Sequence, residues 1–491
     1  MTKEKLREIA SRVRYIYILV YIVCFSLFNN AYLNSYFYSE TQLIYQGLIV
    51  LGIVIMTIDF FTFCIMLKTK YSIFLTLFYC ACMLSVIINR NYEPIANIKV
   101  IAWMLIQTFV FAAVDRTLSR EHHRRHFRYI AESVSFVWFS FSLCSIIMFF
   151  MHYQETLPNT ETMMGYLRVG FVEGRLFGVF TDPNYASTCV LFTMAMLLSN
   201  MFMKKESLPC KIYHIIVLLV DYLYVLLSRS RTSELCLIIV VAVIAFFAAK
   251  RLSEKRALPT VAKLAVMVLS AVLVAFGTTV VCNTVNSVAD SVYIALKREE
   301  GMPKEQEKIL EEEVKRPDTQ KEDVTNNRLK IWSDYFEVFK QNPIFGTGPR
   351  NGLSYAQENM PDSYIVQQKY QYHNGYIAIL VGTGIVGSAL IMLYIVLVSK
   401  KLLLYLWKTS KEKNNNYLPV LMLSSILIIG ATSAVPLHIL FFNNSALDAI
   451  FWFVLGYVMY LICERDVSKE SKLVELTDIF RAKMFKSTES N

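Results

Sequence analysis

The feature that most constrains this chain is a succession of roughly twelve apolar stretches, each close to the ~20 residues that a membrane-spanning helix requires. They fall near residues 13–33, 43–66, 71–88, 98–115, 131–152, 183–203, 211–228, 231–249, 260–283, 374–398, 417–436 and 445–463. Over 491 residues the composition is 55% hydrophobic and the mean hydropathy +0.42, which excludes a soluble globule. The expected fold class is an all-α polytopic membrane protein with about twelve transmembrane helices and a large extracytoplasmic loop before the tenth.

Charge orients the spans. Lys3, Lys5, Arg7, Arg12 and Arg14 precede the first, and every second connection is basic: Lys68/Lys70, Arg116 to Arg128, Lys204/Lys205/Lys211, Lys250 to Lys263 and Lys400 to Lys413. The connections between them, such as 29–42 and 434–444, carry almost no Lys or Arg. By the positive-inside rule both termini are cytoplasmic and the protein is a multi-pass protein of a plasma membrane. The formal charge of +10 is then a topology signal. Split among short cytoplasmic loops, it makes no continuous patch for nucleic acid.

The expected organisation is therefore nine spans over 1–283 with a short outward loop at 153–180, an outward loop over 284–373, three further spans over 374–463 and a cytoplasmic tail over 464–491. The ten cysteines lie within spans or near their ends, so no structural disulfide is expected. The first apolar stretch reads as an uncleaved anchor.

Chemistry on a water-soluble group is expected in the polar segment 327–376. Asn326 or Asn327 can cap a helix that runs to Asn342-Pro343. Its Leu329, Trp332, Phe336 and Phe339 recur at three- and four-residue steps, as on one face. Arg328 falls in the first turn, where a cation opposes the helix dipole. Gly346-Thr347-Gly348 is flexible backbone whose N–H groups can approach an anion or sugar, or is simply a turn. His373 stands where loop meets membrane, followed by Asn374 and Gly375; neutral, it is able to accept a proton from a hydroxyl.

Further ionisable residues gather at the same outward face. Asp221 lies about two turns below Ser228-Arg229-Ser230-Arg231-Thr232, and a carboxylate at membrane depth tends to face a bundle interior. Arg229 and Arg231 sit where the positive-inside rule disfavours them. They either snorkel to headgroups or clamp phosphate through paired hydrogen bonds. Arg175, in the run from Gly174 to Ala186, is a further cation on that side, and Asp182-Pro183-Asn184 is a natural helix start.

The ordered set resembles the O-antigen ligase / O-antigen polymerase family over about residues 170–400. Gly174-Arg175-x-x-Gly178-x-Phe180-x-x-Pro183-Asn184 opens one span and Ser230-Arg231-Thr232 another. Arg328, Trp332, Pro343, Gly346-x-Gly348 and His373-Asn374 then fill the large loop. The resemblance implies a GT-C-like, metal-independent, inverting glycosyltransferase with no cofactor, acting on an undecaprenyl-diphosphate-linked oligosaccharide at the outer face of a bacterial inner membrane. It implies Arg231 and Arg328 on the diphosphate and His373 at the acceptor hydroxyl, with Arg175 a weaker fourth; Arg229, Asn374, Gly346, Gly348 and Asp221 join Arg175 as substrate-binding candidates from the residues themselves. Membrane lipid, a flippase and a chain-length regulator are the implied partners. The Arg-x10-Gly repeats of some polymerases do not occur here.

Three activities fit this outline. A polymerase joins lipid-linked repeat units into capsule, exopolysaccharide or O-antigen chains; a ligase moves a finished chain to another acceptor; a flippase or secondary carrier would move the lipid-linked glycan across the bilayer. The carrier reading lacks the related halves expected of repeat-built transporters.

Overall fold

The computed structural model describes residues 2–63, 65, 69, 71–159, 165–203, 206–256, 258–298, 303–316, 325–410 and 416–463. Every expected span is a helix. In chain order the long helices are α1 (Lys3–Leu27), α3 (Tyr38–Thr62), α4 (Ser72–Ile88), α5 (Pro94–Ile106, continued by a π-turn to Phe111), α6 (Arg120–Phe150), α7 (Pro183–Met203), α8 (Leu208–Leu227), α9 (Arg231–Lys255), α10 (Thr260–Lys297), α15 (Gly375–Thr409), α16 (Tyr417–Ser433) and α17 (Ala446–Cys463). Among the described residues ten helices are long and apolar enough to cross a membrane; α4 and α16 are shorter apolar helices. Short helices complete the set: α2 (Ala31–Tyr36), α11 (Lys304–Glu313), α12 (Arg328–Gln341), α13 (Gly352–Asn359) and α14 (Tyr364–Gln367). Cys64, the basic residues Lys68, Lys70, Lys204, Lys205, Lys411 and Lys413, parts of the charged strip 298–323, and the tail 464–491 lie outside the described residues.

Two features depart from the sequence expectation. The 153–180 loop contains a three-stranded antiparallel sheet in the order β1-β2-β3: β1 (Gln154–Pro158), β2 (Tyr166–Val172) and β3 (Arg175–Gly178). Leu167, Val169 and Phe171 alternate along β2 and are buried, which gives one face of the sheet an apolar anchor. The ninth span does not end at 283: α10 runs 38 residues, about 57 Å at 1.5 Å per residue, against a hydrocarbon core of about 30 Å. Its far end continues because Ala289 and Tyr293 keep packing at a four-residue step, Tyr293 with its ring against Phe149, His152 and Phe171.

The element that organises the end of the bundle bearing the 284–373 loop is a break in α15. Gly384 has φ 62° and ψ −164°, a conformation open in practice only to glycine. The break leaves the carbonyls of Val381 and Gly382, and the N–H groups of Ile385 and Val386, without helical partners. The run 343–348 supplies all four. Thr347 N–H donates to Val381 O at 2.8 Å and Gly348 N–H to Gly382 O at 3.0 Å, while Ile385 N–H donates to Pro343 O at 2.9 Å and Val386 N–H to Ile344 O at 3.3 Å. Two Gly-Thr-Gly triplets, 346–348 and 382–384, thus lie backbone against backbone. A Cβ on Gly346 would stand 2.4 Å from Val381 O, and one on Gly384 2.3 Å from Ile344 O. From α4, Ser85 Oγ donates to Gly382 O at 2.9 Å and Asn89 Nδ2 to Gly346 O at 3.0 Å. This splinting meets the rule that irregular backbone at membrane depth is stable only where protein satisfies its polar groups.

Gly384→Ala is accordingly expected to destabilise the protein by about 1–3 kcal/mol, read as a lower melting temperature in detergent. Gly277→Ala on α10, where an added Cβ meets nothing within 4 Å, is the control and should not lower it.

Candidate functional site

The face expected to be outward is assembled from the ends of α7, α8, α9, α12 and α15. Asp182 caps α7, its Oδ1 accepting from the N–H of Asn184 at 2.6 Å and of Tyr185 at 3.1 Å. Arg175 on β3 donates to Asn184 Oδ1 at 2.7 Å and to Ser228 O at 3.1 Å, which fixes the sheet to the starts of two spans. Ser228 ends α8 and Ser230 caps α9, its Oγ accepting from Ser233 N–H at 3.3 Å. Arg231 is therefore the first residue of α9, as Arg328 is of α12.

The structure brings Arg175, Arg231, Arg328 and His373 to one place, with Asp182 among them. The charges of Asp182 and Arg231 both act on Arg328, and those of Arg328 and Asp182 both act on His373. Two arginines on the first turns of two helices oppose two dipoles at once; that unfavourable grouping is relieved by an anion, which helix N-termini also attract. Burial, reinforced by Arg231, lowers the Arg328 pKa from its ordinary value, with Asp182 opposing; the guanidinium remains charged. Burial, then Arg328, lowers the pKa of His373 below its ordinary 6.5, so that its imidazole is neutral at pH 7. His373 itself is held at φ 45° with its ring 5.8 Å from that of Tyr370.

Most of the other candidate residues have structural partners of their own. Gly346 and Gly348 do not offer their N–H groups to a ligand: Gly346 N–H donates to Asn342 O and Gly348 N–H to Gly382 O, both at 3.0 Å. Their role is to let the loop approach the broken span. Asn374 is the cap of α15, its Oδ1 accepting from Tyr376 N–H at 2.9 Å and Ile377 N–H at 3.0 Å. Arg229 is engaged structurally. It pairs with Asp290 and donates to Val314 O at 2.8 Å and Asn286 O at 3.2 Å. Asp221 is fully buried on α8 beside Ser142 of α6, seven residues and about 10 Å below the Ser228 turn, apart from the cluster.

The face assigned to α12 also shifts. Ile331, Tyr335 and Val338 are buried, Trp332 and Phe339 flank them, and Leu329 and Phe336 are exposed at 60% and 44%. Both sets satisfy three- and four-residue spacing; Tyr335 decides between them, because its hydroxyl donates to Tyr370 O at 2.8 Å and its ring packs on Tyr372.

Sequence reasoning missed Arg350 and His438. The charges of Arg350 and His373 act on His438, whose ring also packs on Tyr372 at 5.4 Å. Burial first, then those two charges, push the His438 pKa down to about 3. Its Nε2 is buried without a hydrogen bond among the described residues. Arg350 is placed by its neighbours: its N–H donates to Asn97 Oδ1 at 2.8 Å, and Asn97 Nδ2 donates to Asn351 Oδ1 at 2.6 Å. The available signal was for His438 alone, in a 434–444 connection with no other His, Lys or Arg. The charged strip resolves in part into α11, tied down by Leu310, Val314 and a Lys297–Glu313 ion pair of 2.6 Å, with the Arg316 guanidinium on Arg229 O.

Residues 214–392 match the O-antigen ligase family model. The matched segment runs from α8 to α15 and contains Arg231, Arg328, Arg350 and His373. The resemblance noted from the motifs is thereby supported over that segment. No curated protein matches the chain.

If Asn374 is a cap, Asn374→Ala should cost about 1 kcal/mol of stability while Asn374→Ser, which caps equally well, keeps it. Thermal melts of the two variants beside transfer assays check this. Full stability with lost transfer in the serine variant would return Asn374 to the substrate.

Proposed function

We propose that this protein is a polysaccharide polymerase: a metal-independent, inverting glycosyltransferase that joins undecaprenyl-diphosphate-linked repeat units at the outer face of a bacterial inner membrane, with both termini cytoplasmic. The observation that carries the reading is the meeting of Arg231 and Arg328, each on the first turn of its helix, beside a neutral His373.

In the reaction an acceptor sugar hydroxyl attacks the anomeric carbon of the donor, a new C–O bond forms, and the bond to the diphosphate breaks with inversion. The hydroxyl proton passes to a ring nitrogen of His373. Charge growing on the leaving diphosphate is met by Arg231 and Arg328, donors already in place before the reaction. Arg350 and the hydrogen-bonding edge of His438 stand on the acceptor side. An apolar cleft of about 250 Å³ begins beside this face at Tyr376 and Phe441 and descends between α9, α15, α16 and α17 to Leu402 and Leu406. It suits a polyprenyl tail, which would enter laterally. A flippase and a chain-length regulator are proposed neighbours of the reaction.

A ligase reading uses the same donor chemistry, and the description of the matched family favours it. Purified protein in lipid, given the lipid-linked oligosaccharide and a chelator, distinguishes the two. A size ladder is the expected product, with single transfer to a separate acceptor the ligase result. Arg328→Ala and Arg231→Ala are each expected to lower the rate by about 10²–10³-fold, the range for removing one charge-stabilising donor.

The pH profile tests the base. Activity should persist below pH 6.5 on the acid side and fall as pH drops through the lowered pKa of His373. Asp182→Asn preserves the helix cap but removes the one named charge that raises that pKa, so the acid limb should move to lower pH. A shift to higher pH, or none, would remove His373 as the base.

A further inference from the structure

At the other end of α6 from the sheet, Arg124, Arg125 and Arg128 line a cavity of about 350 Å³ between the start of α6 and the end of α7. Arg128 of this cavity lies 22 residues before the end of α6 at Phe150, about 33 Å from the candidate site's end of the bundle. Arg128 is paired with Glu132 at 2.5 Å, whereas Arg124 and Arg125 form no ion pair among the described residues. Glu121 is also in the lining, so the three arginines outnumber the two carboxylates.

The cavity contains an independent sign of an occupant. Asn200 of α7 lines it, is only 3% exposed, and neither its Nδ2 nor its Oδ1 has a hydrogen-bond partner among the described residues. A buried primary amide with both ends unmet is uncommon and costly. A phosphodiester oxygen would accept from Nδ2 and a headgroup hydroxyl would donate to Oδ1. A second cavity of about 630 Å³ shares Arg128 and Glu132 with the first and continues deeper along α6. Its lining is apolar there: Phe136, Val137, Leu197 and Val217.

A charged, amide-bearing cavity joined to an apolar one has the shape of an amphiphile. Basic pockets between spans take lipid headgroups because anionic phosphate gains from each nearby arginine without losing contact with the bilayer. We propose that α6, α7 and α8 form a binding site for an anionic phospholipid of the leaflet opposite the candidate active site. Its phosphate lies at Arg124 and Arg125, its headgroup at Asn200, and one acyl chain along Phe136 and Leu197.

Native mass spectrometry of the purified full-length chain tests this, with phosphatidylglycerol or phosphatidylcholine added in detergent and inorganic phosphate as competitor. Wild-type protein should retain phosphatidylglycerol in preference to phosphatidylcholine. Arg124→Gln/Arg125→Gln should weaken that retention roughly thirtyfold, the effect of two arginines at a membrane surface. Asn200→Leu keeps the charge and removes the unmet amide. It should weaken phosphatidylglycerol binding while leaving the lipid-free melting temperature unchanged or higher. Equal retention in wild type and the double arginine variant would overturn the site. Displacement of the lipid by millimolar inorganic phosphate would overturn the lipid assignment in favour of a free anion. Neither result bears on the transferase reading, which concerns the other end of the bundle.

Discussion

A membrane-embedded helix that breaks must have its four released backbone groups bonded by something other than water. In this protein the break at Gly384 is met by the 343–348 run, and that docking fixes the outward loop to the tenth span. From it the rest of the site follows. The run is continuous with α12 on one side, which carries Arg328, and with Arg350 on the other. His373 precedes the span that the run repairs. Ser85, Asn89 and Asn97 from α4 and α5 hold the same assembly from behind. A loop tethered only at its ends would leave these groups free to diverge; one hydrogen-bonded to the core of the bundle cannot.

The electrostatics follow from that placement. Arg231 and Arg328 are brought close although each disfavours the other, and each also sits at the positive end of a helix. Such an arrangement is unfavourable alone and favourable around a diphosphate. Burial first, and then the charge of Arg328, lower the pKa of His373 below its ordinary value, with Asp182 opposing. Asp182 moderates the field while capping α7, so one carboxylate serves both the fold and the site.

The spans were legible because hydropathy over ~20 residues is a local property, and the alternation of basic connections gave their sense. Arg231 and Arg328 stand out in the sequence because local rules disfavour a cation at an outward turn or a helix start, and His373 stands out at the junction of loop and span. The function of Gly346 and Gly348 was not legible. A glycine-rich turn serves an anion or a close backbone contact equally well, and only the positive φ at Gly384, far along the chain, selects the second. The cap that Asn374 makes and the ion pair of Arg229 with a distant Asp290 were likewise not legible, since both depend on neighbours that spacing does not show. On α12 the spacing allowed two faces, and the partner elements chose Ile331, Tyr335 and Val338. The sheet at 154–178 was hidden by its short strands, although β2 alternates.

The most direct measurement is a structure of the protein in lipid with a non-hydrolysable polyprenyl-diphosphate sugar bound. The account requires the diphosphate between Arg231 and Arg328, within hydrogen-bond distance of both guanidinium groups, with His373 facing the anomeric carbon from the side away from the leaving group. A diphosphate held by the 346–348 backbone, or resting on Arg229 in place of Asp290, would contradict it.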